Sequence, residues 1–231
     1  MKWVFTRTWK MVKIKAIIFD MDNTLHDAEH LSELSIPEVV QEMIDRGVKI
    51  LLEEGIEKFR ELLKNDPRNK FDKLAEMYSL ENNGEIMEAV KFVYKHPRLD
   101  NMKILPGTLP ALKELKGKFR LVLLSQGQPD SQNKRIDVLG IRDFFEFILT
   151  PMTGEKARAF DEALGRLNLH PEEIFVVGDR TDGEIKIAND LGMKTVRFRF
   201  GKYGKLEARD DSEKADFEIK DLRELLDIVN E

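Results

Sequence analysis

Two aspartates, Asp20 and Asp22, directly follow a short apolar segment near the start of the chain. Side chains at positions i and i+2 of an extended segment share one face, so both carboxylates can reach one substrate while Met21 points away. One carboxylate can then attack an electrophilic centre while the other moves protons. On these two aspartates alone, a helix-capping Asp-Asn-Thr turn after a core strand is the simpler interpretation.

The segment before Asp20, residues Ile14–Phe19, has the length and β-branched content of a buried strand. Four later segments resemble it: Arg120–Leu124, Phe145–Leu149, Ile174–Val177 and Lys194–Phe198. Asp216–Ile219 is a candidate for a short sixth strand. Amphipathic helical patterns, such as those that begin at Phe160 and Ile185, separate most of them. This alternation predicts an α/β fold with a doubly wound parallel sheet. Ligands bind beyond the carboxyl ends of such strands, which is where Asp20 lies.

Residues 26–103 break the alternation, because they contain long helical patterns and no convincing strand. Helical patterns occupy three stretches, the first of them interrupted by Gly47 and Gly55: Pro37–Leu63, Phe71–Tyr78 and Glu85–Tyr94. We therefore predict a four-helix bundle over residues 26–103, inserted into a core built from residues 1–25 and 104–231.

The first motif of the chain, Asp20-Met-Asp22-Asn-Thr24, resembles the Asp-x-Asp-x-Thr motif of the haloacid dehalogenase-like superfamily. The second predicted strand ends in Ser125-Gln126-Gly, which is similar to the second motif of that family, with Ser for the commoner Thr and Gln for Asn. A hydroxyl and exposed backbone N–H groups at a strand end suit a phosphate. Without the resemblance, an ordinary polar turn would explain this segment.

The remaining two motifs of the family have counterparts in the expected order. Asp179 follows the strand Ile174–Val177 and is itself followed by Glu184, where the family more often has Asp, so that a direct and a water-mediated metal contact both stay open. Asp182 is an alternative acid in this segment. The lysine motif is represented by Lys156, without the usual proline after it. Two other basic residues are alternatives for its role: Lys134 and Arg158.

The resemblance implies a Rossmann-like catalytic core with a helical cap, and a Mg²⁺-dependent phosphatase that hydrolyses small phosphate monoesters. Asp20 would attack phosphorus to form an aspartyl-phosphate, while Asp22 would protonate the leaving alkoxide and then activate water. Dehalogenases of the superfamily lack an acid at the second position and need no metal, so Asp22 indicates phosphoryl transfer.

The resemblance also assigns the ligands of the site. The expected Mg²⁺ ligands are Asp20, Asp179, Glu184 and the backbone carbonyl of Asp22. The expected phosphate-binding groups are Thr24, Ser125, the backbone N–H of Gln126 and Lys156.

Two other functions use a similar site. A phosphomutase of the β-phosphoglucomutase type would pass the phosphoryl group to a sugar hydroxyl, and a non-catalytic phospho-acceptor would keep it on Asp20. His26 and His30 have the i, i+4 spacing of a metal pair, but no zincin pattern accompanies them, and we favour a linker role near a hinge of the cap. The cap is expected to open and close about hinges at residues 26–29 and 103–107.

Composition excludes several other classes of protein. The chain has 231 residues, 42% hydrophobic and 35% charged, with a net charge of −5, which argues against nucleic acid as the main partner. It has no cysteine, which excludes disulfides and thiolate chemistry and favours a cytoplasmic setting. No run of residues is apolar and long enough to cross a membrane. The basic residues 1–10 carry no predicted function, the oligomeric state is open, and the expected partner is a small phosphorylated metabolite.

Overall fold

The computed structural model describes residues 12–67 and 69–229, so the predicted N-terminal extension, residues 1–10, lies outside the described part of the chain. The chain divides into two compact units, and it crosses between them at Ala28/Glu29 and at Asn101/Met102. These crossings lie just inside the limits expected from the sequence, so His26 belongs with the unit that holds the sheet.

Six parallel strands form one sheet in the order β3-β2-β1-β4-β5-β6. Their bounds are β1 Ala16–Phe19, β2 Arg120–Leu124, β3 Phe147–Leu149, β4 Ile174–Gly178, β5 Lys194–Phe198 and β6 Phe217–Ile219. The predicted α/β fold is thus confirmed, although three strands begin later than the sequence suggested. Strand β3, for example, was expected to begin at Phe145 but begins at Phe147. The N–H of Phe145 instead closes a 3₁₀ turn by donating to the carbonyl of Arg142 at 3.1 Å.

The sheet is covered on both faces. Along β1, Ile17 and Phe19 point into one apolar core, whereas Ala16 and Ile18 point into the other. The helices of this unit within the described residues are α5 Thr108–Lys116, α6 Pro129–Val138, α7 Lys156–Leu167, α8 Lys186–Asp190 and α9 Glu224–Ile228. Helices α5, α6 and α9 supply apolar residues to the first core, and α7 and α8 supply them to the second. The two central strands β1 and β4 are therefore buried on both faces, as their continuous apolar sequences require.

The strand order places β1 beside both β2 and β4. The chain runs from β1 through β2 to the edge strand β3 and then returns to β4 on the opposite side of β1. The order of the strands reverses at this point, and in doubly wound sheets a crevice for ligands forms there, beyond the carboxyl ends of the strands. Asp20 and Asp179 follow β1 and β4 directly, so both lie at this end of the sheet.

The inserted unit consists, in the described residues, of α1 Ala28–Asp45, α2 Leu52–Asn65, α3 Lys70–Met77 and α4 Gly84–Lys95. It has a separate apolar core, in which Phe59 is fully buried. Two details of the helical pattern were wrong. Helix α1 begins well before Pro37, and Gly55 lies inside α2 rather than interrupting it. A side chain at Gly55 would place Cβ 2.5 Å from Val40 Cγ1, so this glycine allows α1 and α2 to approach closely. No helix among residues 12–67 and 69–229 combines the length and apolarity needed to span a membrane.

Candidate active site

Asp20 lies directly after the end of β1, and its backbone is hydrogen-bonded to β4. Its backbone N–H donates to the carbonyl of Val177 at 2.9 Å, which continues the ladder between the two central strands by one step. Asp179 follows β4 and is 2% exposed, and Asp20 is also buried. The register of the sheet therefore brings both carboxylates to the same end of the sheet, because β1 and β4 are paired in parallel and end within one residue of each other.

Lys156 reaches this pair from the first residue of α7. Its Nζ atom donates to Asp20 Oδ1 at 2.6 Å and also binds Glu184 Oε1. The lysine side chain is only 11% exposed, whereas the two alternatives from the sequence, Lys134 and Arg158, are exposed. Of the three basic residues considered, Lys156 is the one that the structure places against the carboxylates.

Glu184 is held by the backbone of the turn that contains it. Its second carboxylate oxygen, Oε2, accepts a hydrogen bond from the N–H of Arg180 at 3.3 Å, and the side chain is buried. Gly178 makes room for it, since a Cβ atom at that position would lie 2.9 Å from Glu184 Cγ. Asp182, the alternative acid, instead pairs with Arg180 at 3.0 Å. The structure therefore brings Glu184, and not Asp182, to Lys156.

The buried carboxylates repel one another. Burial raises the pKa of Asp20, Lys156 offsets part of this effect, and the charges of Glu184 and Asp22 raise it further. Burial likewise raises the pKa of Asp179, and the charges of Asp20 and Glu184 add to the increase. Burial alone would lower the pKa of Lys156, but the neighbouring carboxylates raise it above its ordinary value, so the ammonium stays charged.

Asp22 has a different environment, although it is only two residues from Asp20. Its Oδ1 atom lies 2.7 Å from His26 Nε2 and is also bound by Arg135 Nη2. Its side chain remains 40% exposed, while those of Arg135 and His26 are 9% and 0% exposed. Burial by itself would raise the pKa of Asp22, but the Arg135 charge and the hydrogen bonds from His26 and Arg135 hold it well below its usual range.

Arg135 was missed by the sequence analysis, and His26 was assigned to a linker near the hinge. His26 instead lies in the core unit, where it forms isolated bridges to Asp22 and Ile104. The available signal for Arg135 was its position on the buried face of α6. Gln132, Arg135 and Ile136 follow the i, i+3, i+4 pattern and are all buried. A charged residue at an apolar position of a helix requires a partner, which the sequence alone did not identify.

The segment after β2 places Ser125 and Gln126 beside α6. The N–H of Ser125 donates to the carbonyl of Leu149 at 3.0 Å, and its hydroxyl donates to Gln132 Oε1, also at 3.0 Å. The side chain of Gln126 donates to the carbonyl of Met152 at 3.3 Å and so turns toward the loop after β3. Thr24 is fully buried, and within the described residues its Oγ1 atom has no hydrogen-bond partner.

The donor set fits a divalent cation in chemistry and in charge. Three buried carboxylates, those of Asp20, Asp179 and Glu184, influence one another electrostatically, and one ammonium, that of Lys156, opposes them. Magnesium prefers hard oxygen ligands of this kind, and a cation would relieve the repulsion. In the described residues no group of three or more histidine or acidic side chains is arranged around a common metal position. The carboxylate of Asp22 faces Arg135, which leaves its backbone carbonyl as the group that the sequence assigned to the metal.

The fold and this site define a class of protein, namely α/β proteins with buried acidic side chains at the carboxyl ends of two central parallel strands. The sequence profile of haloacid dehalogenase-like hydrolases matches residues 14–192, and the chain belongs to that family. The predicted superfamily is thereby confirmed.

Relatives that are named as phosphatases align with nearly the whole chain. The glyceraldehyde 3-phosphate phosphatase of Methanopyrus kandleri is 36% identical over 230 residues, which cover 94% of this chain and 98% of the relative. The glyceraldehyde 3-phosphate phosphatase of Pyrococcus furiosus is 32% identical over 227 residues, which cover 95% and 94%. The chain is accordingly a phosphoric monoester hydrolase, as the sequence predicted.

Solved structures share the fold. A hydrolase of this superfamily from Bacillus subtilis, solved with bound magnesium, superimposes with a TM-score of 0.72 at 17% identity and covers 95% of this chain and 100% of its own. The haloacid dehalogenase-like phosphatase of Thermococcus onnurineus gives a TM-score of 0.63 at 24% identity, with coverage of 94% and 98%. Both comparisons support the architecture of sheet and insert that is described above.

Proposed function

We propose that this enzyme is a Mg²⁺-dependent phosphatase that hydrolyses a small phosphorylated metabolite through an aspartyl-phosphate on Asp20. One observation carries the proposal: Asp20 and Asp22 lie two residues apart at the carboxyl end of β1, and Lys156 binds the first of them at 2.6 Å. A nucleophile, a second carboxyl group for proton transfer and a fixed positive charge are the groups that a phosphoryl transfer requires.

In the first step the carboxylate of Asp20 attacks phosphorus, and the bond between phosphorus and the ester oxygen breaks. Asp22, in its protonated form, gives its proton to the departing alkoxide. In the second step Asp22 removes a proton from a water molecule, whose oxygen attacks phosphorus. The bond to Asp20 then breaks, which releases inorganic phosphate and regenerates both carboxyl groups for another cycle.

Lys156 and the segment after β2 hold the phosphoryl oxygens in this proposal. Lys156 contributes a fixed positive charge next to Asp20, where negative charge from the substrate accumulates. In the free protein the Ser125 hydroxyl donates to Gln132, so Ser125 must rotate this bond toward the phosphate when substrate binds. Thr24 has a buried hydroxyl that needs a partner, and it is the remaining group assigned to binding.

The Mg²⁺ ion would be held by Asp20, Asp179 and the backbone carbonyl of Asp22, with Glu184 in direct or water-mediated contact. When bound, it would offset the repulsion between the carboxylate nucleophile and the anionic phosphate. The substrate class follows the relatives, so a triose phosphate such as glyceraldehyde 3-phosphate is the first candidate. The cysteine-free composition still favours a reducing, cytoplasmic setting.

The test is phosphate release from a panel of esters, measured with MgCl₂ and with a chelator. The panel contains glyceraldehyde 3-phosphate, a hexose phosphate, N-acylneuraminate 9-phosphate and p-nitrophenyl phosphate. We expect Mg²⁺-dependent release, preference for the triose phosphate, and no turnover by Asp20→Asn. Asp137→Asn is the matched control, because Asp137 is an exposed residue that pairs with Arg142 on the surface.

Other outcomes would contradict specific parts of the proposal. Activity in Asp20→Asn would exclude the covalent intermediate. Full activity in chelator would exclude the metal requirement. Transfer of the phosphoryl group to a second hydroxyl without release of phosphate would indicate a mutase, and a stable phosphorylated protein without turnover would indicate a phospho-acceptor.

A further inference from the structure

A buried arginine clamps the second aspartate of the site. Arg135 extends from α6, and its Nη2 atom binds Asp22 Oδ1 and lies 2.6 Å from His26 Nε2. His26 is itself 2.7 Å from the same Asp22 oxygen. Two almost fully buried side chains, one from the segment after β1 and one from α6, thus converge on one carboxylate oxygen of Asp22.

The two carboxylate oxygens of Asp22 have different contacts. Oδ1 is bound by both Arg135 and His26, whereas the nearest guanidinium nitrogen to Oδ2 is Arg135 Nη1, at 3.5 Å and therefore at the limit of a hydrogen bond. The side chain of Asp22 is also 40% exposed, so packing alone does not select its rotamer. The contacts at Oδ1 fix the carboxylate and leave Oδ2 as the oxygen with room for a proton and a reacting group.

The same arginine is connected to the segment that follows β2. Arg135 Nη1 donates to Gln132 Oε1 at 3.1 Å, and Gln132 Oε1 also accepts the hydroxyl of Ser125 at 3.0 Å. The amide of Gln132 in turn donates to the carbonyl of Gln126 at 3.2 Å. Since all these groups are buried or partly buried, the network fixes the distance between the Asp22 carboxylate and the Ser125 segment.

We infer that Arg135 is a positioning residue, which with His26 directs Asp22 Oδ2 toward the leaving-group oxygen of the substrate. The inference rests on the proposed function, because it assigns Arg135 a role in the proton transfer by Asp22. This positioning role differs from a role in phosphate binding, in which the Arg135 guanidinium would contact the substrate itself. A misplacement of about 1 Å can cost about 100-fold in rate, so loss of the clamp should be visible in kinetics.

The positioning role and the phosphate-binding role of Arg135 predict different effects of the leaving group on the kcat/KM of an Arg135 variant. An alkoxide needs a proton as it departs, whereas p-nitrophenolate leaves readily without one. The alkyl ester in this comparison is glyceraldehyde 3-phosphate. If Arg135 acts through Asp22, Arg135→Gln should lower kcat/KM for this ester by about 10- to 100-fold. It should change kcat/KM for p-nitrophenyl phosphate by less than about threefold, since that parameter reports only the steps up to departure of the leaving group.

The experiment measures both esters with the parent, Asp22→Asn, Arg135→Gln and the double variant, all with MgCl₂. Arg166→Gln is the matched control, because Arg166 is an exposed arginine on α7 that pairs with Glu162 at 3.1 Å. We expect Arg135→Gln to have no further effect once Asp22 has been replaced by Asn, because its effect passes through that carboxylate. Arg135→Lys, which keeps the charge but not the forked geometry, should recover part of the alkyl-ester activity.

Three results would overturn the inference while leaving the proposed function intact. These are equal losses with both esters, an additive loss in the double variant, and an increase in KM alone, each of which indicates direct binding of substrate by Arg135. Thermal unfolding is followed for every variant. If Arg135→Gln does not fold, the same comparison is made with Arg135→Lys and His26→Gln, and equal losses with both esters would again overturn the inference. Failure of the parent to hydrolyse either ester would refute the proposed function instead.

Discussion

Replacing Asp179 by Asn should stabilise the metal-free protein, although it removes a residue of the proposed metal site. Asp179 is 2% exposed, and its pKa is raised by burial and by the neighbouring charges of Asp20 and Glu184. A carboxyl group whose pKa is higher in the folded than in the unfolded protein takes up a proton on folding. The free energy of unfolding therefore falls as the pH rises between the two pKa values.

The gain in stability can be estimated from the free energy needed to keep the Asp179 carboxyl group protonated in the folded protein. Each pH unit above the ordinary pKa of 3.8 costs about 1.4 kcal/mol. One such carboxyl group can therefore lower the free energy of unfolding by at most about 3 kcal/mol at pH 6, and by close to zero at pH 4. An asparagine has nearly the same shape and carries no charge, so it avoids this cost. Allowing for relaxation of the surroundings, we expect Asp179→Asn to gain about 1 to 3 kcal/mol at pH 6.

The assay is chemical denaturation in the presence of a chelator at pH 4, 5 and 6, followed by circular dichroism. Asp137→Asn is the control, because the pKa of that exposed aspartate is lowered by its hydrogen bond with Arg142. Asp137→Asn should show no gain that grows with pH. If Asp179→Asn is no more stable than the parent at pH 6, or if its gain is the same at pH 4, the carboxylates do not repel one another as described. A thermal shift on addition of MgCl₂ should occur in the parent and be lost in Asp179→Asn.

Two further substitutions test the packing around the site and in the inserted unit. Gly127→Ala would place a Cβ atom 2.2 Å from Gln132 Nε2, at a backbone φ of +156°. We expect a loss of about 1 to 3 kcal/mol in thermal denaturation and a higher KM, and an unchanged melting temperature would contradict the close approach. Phe59→Ala removes a fully buried ring that lies 5.9 Å from the ring of Tyr94. It should cost about 3 to 5 kcal/mol in urea denaturation, and a loss below about 1 kcal/mol would show that the unit collapses around the gap.

The part of the site that could be predicted from sequence is the part carried by short spacing and by order along the chain. Asp20 and Asp22 share a face because they are two residues apart after a strand, and Asp179 comes at the end of another strand of the same parallel sheet. Lys156 was identified from its place in the order of motifs, although the residues around it depart from the usual pattern. These predictions needed only strand direction and the rule that the carboxyl ends of parallel strands meet at one edge.

What could not be predicted depends on the orientation of helices. Arg135 and Asp22 are 113 residues apart, and nothing local shows that the charged position of α6 faces the end of β1. Gly55 illustrates the same point in the inserted unit. By intrinsic propensity glycine disfavours a helix, yet here it lies inside α2 because Val40 of α1 approaches it closely. In both cases the structure around the residue depends on a tertiary contact. The local sequence shows one residue of that contact but not its partner.

The two aspartates of the first motif show how one segment provides two kinds of carboxylate. Asp20 is buried among other acids, which raises its pKa, whereas Asp22 is bound by Arg135 and His26, which outweigh its partial burial and lower its pKa. The proposed reaction needs the reverse, an ionised nucleophile at Asp20 and a proton on Asp22. Coulomb's law gives the direction in which ligands act: a cation beside Asp20 favours its ionised form, and a phosphate dianion beside Asp22 favours its protonated form. The free protein therefore holds both groups in resting states, and binding of metal and substrate shifts each of them toward the state that the chemistry requires.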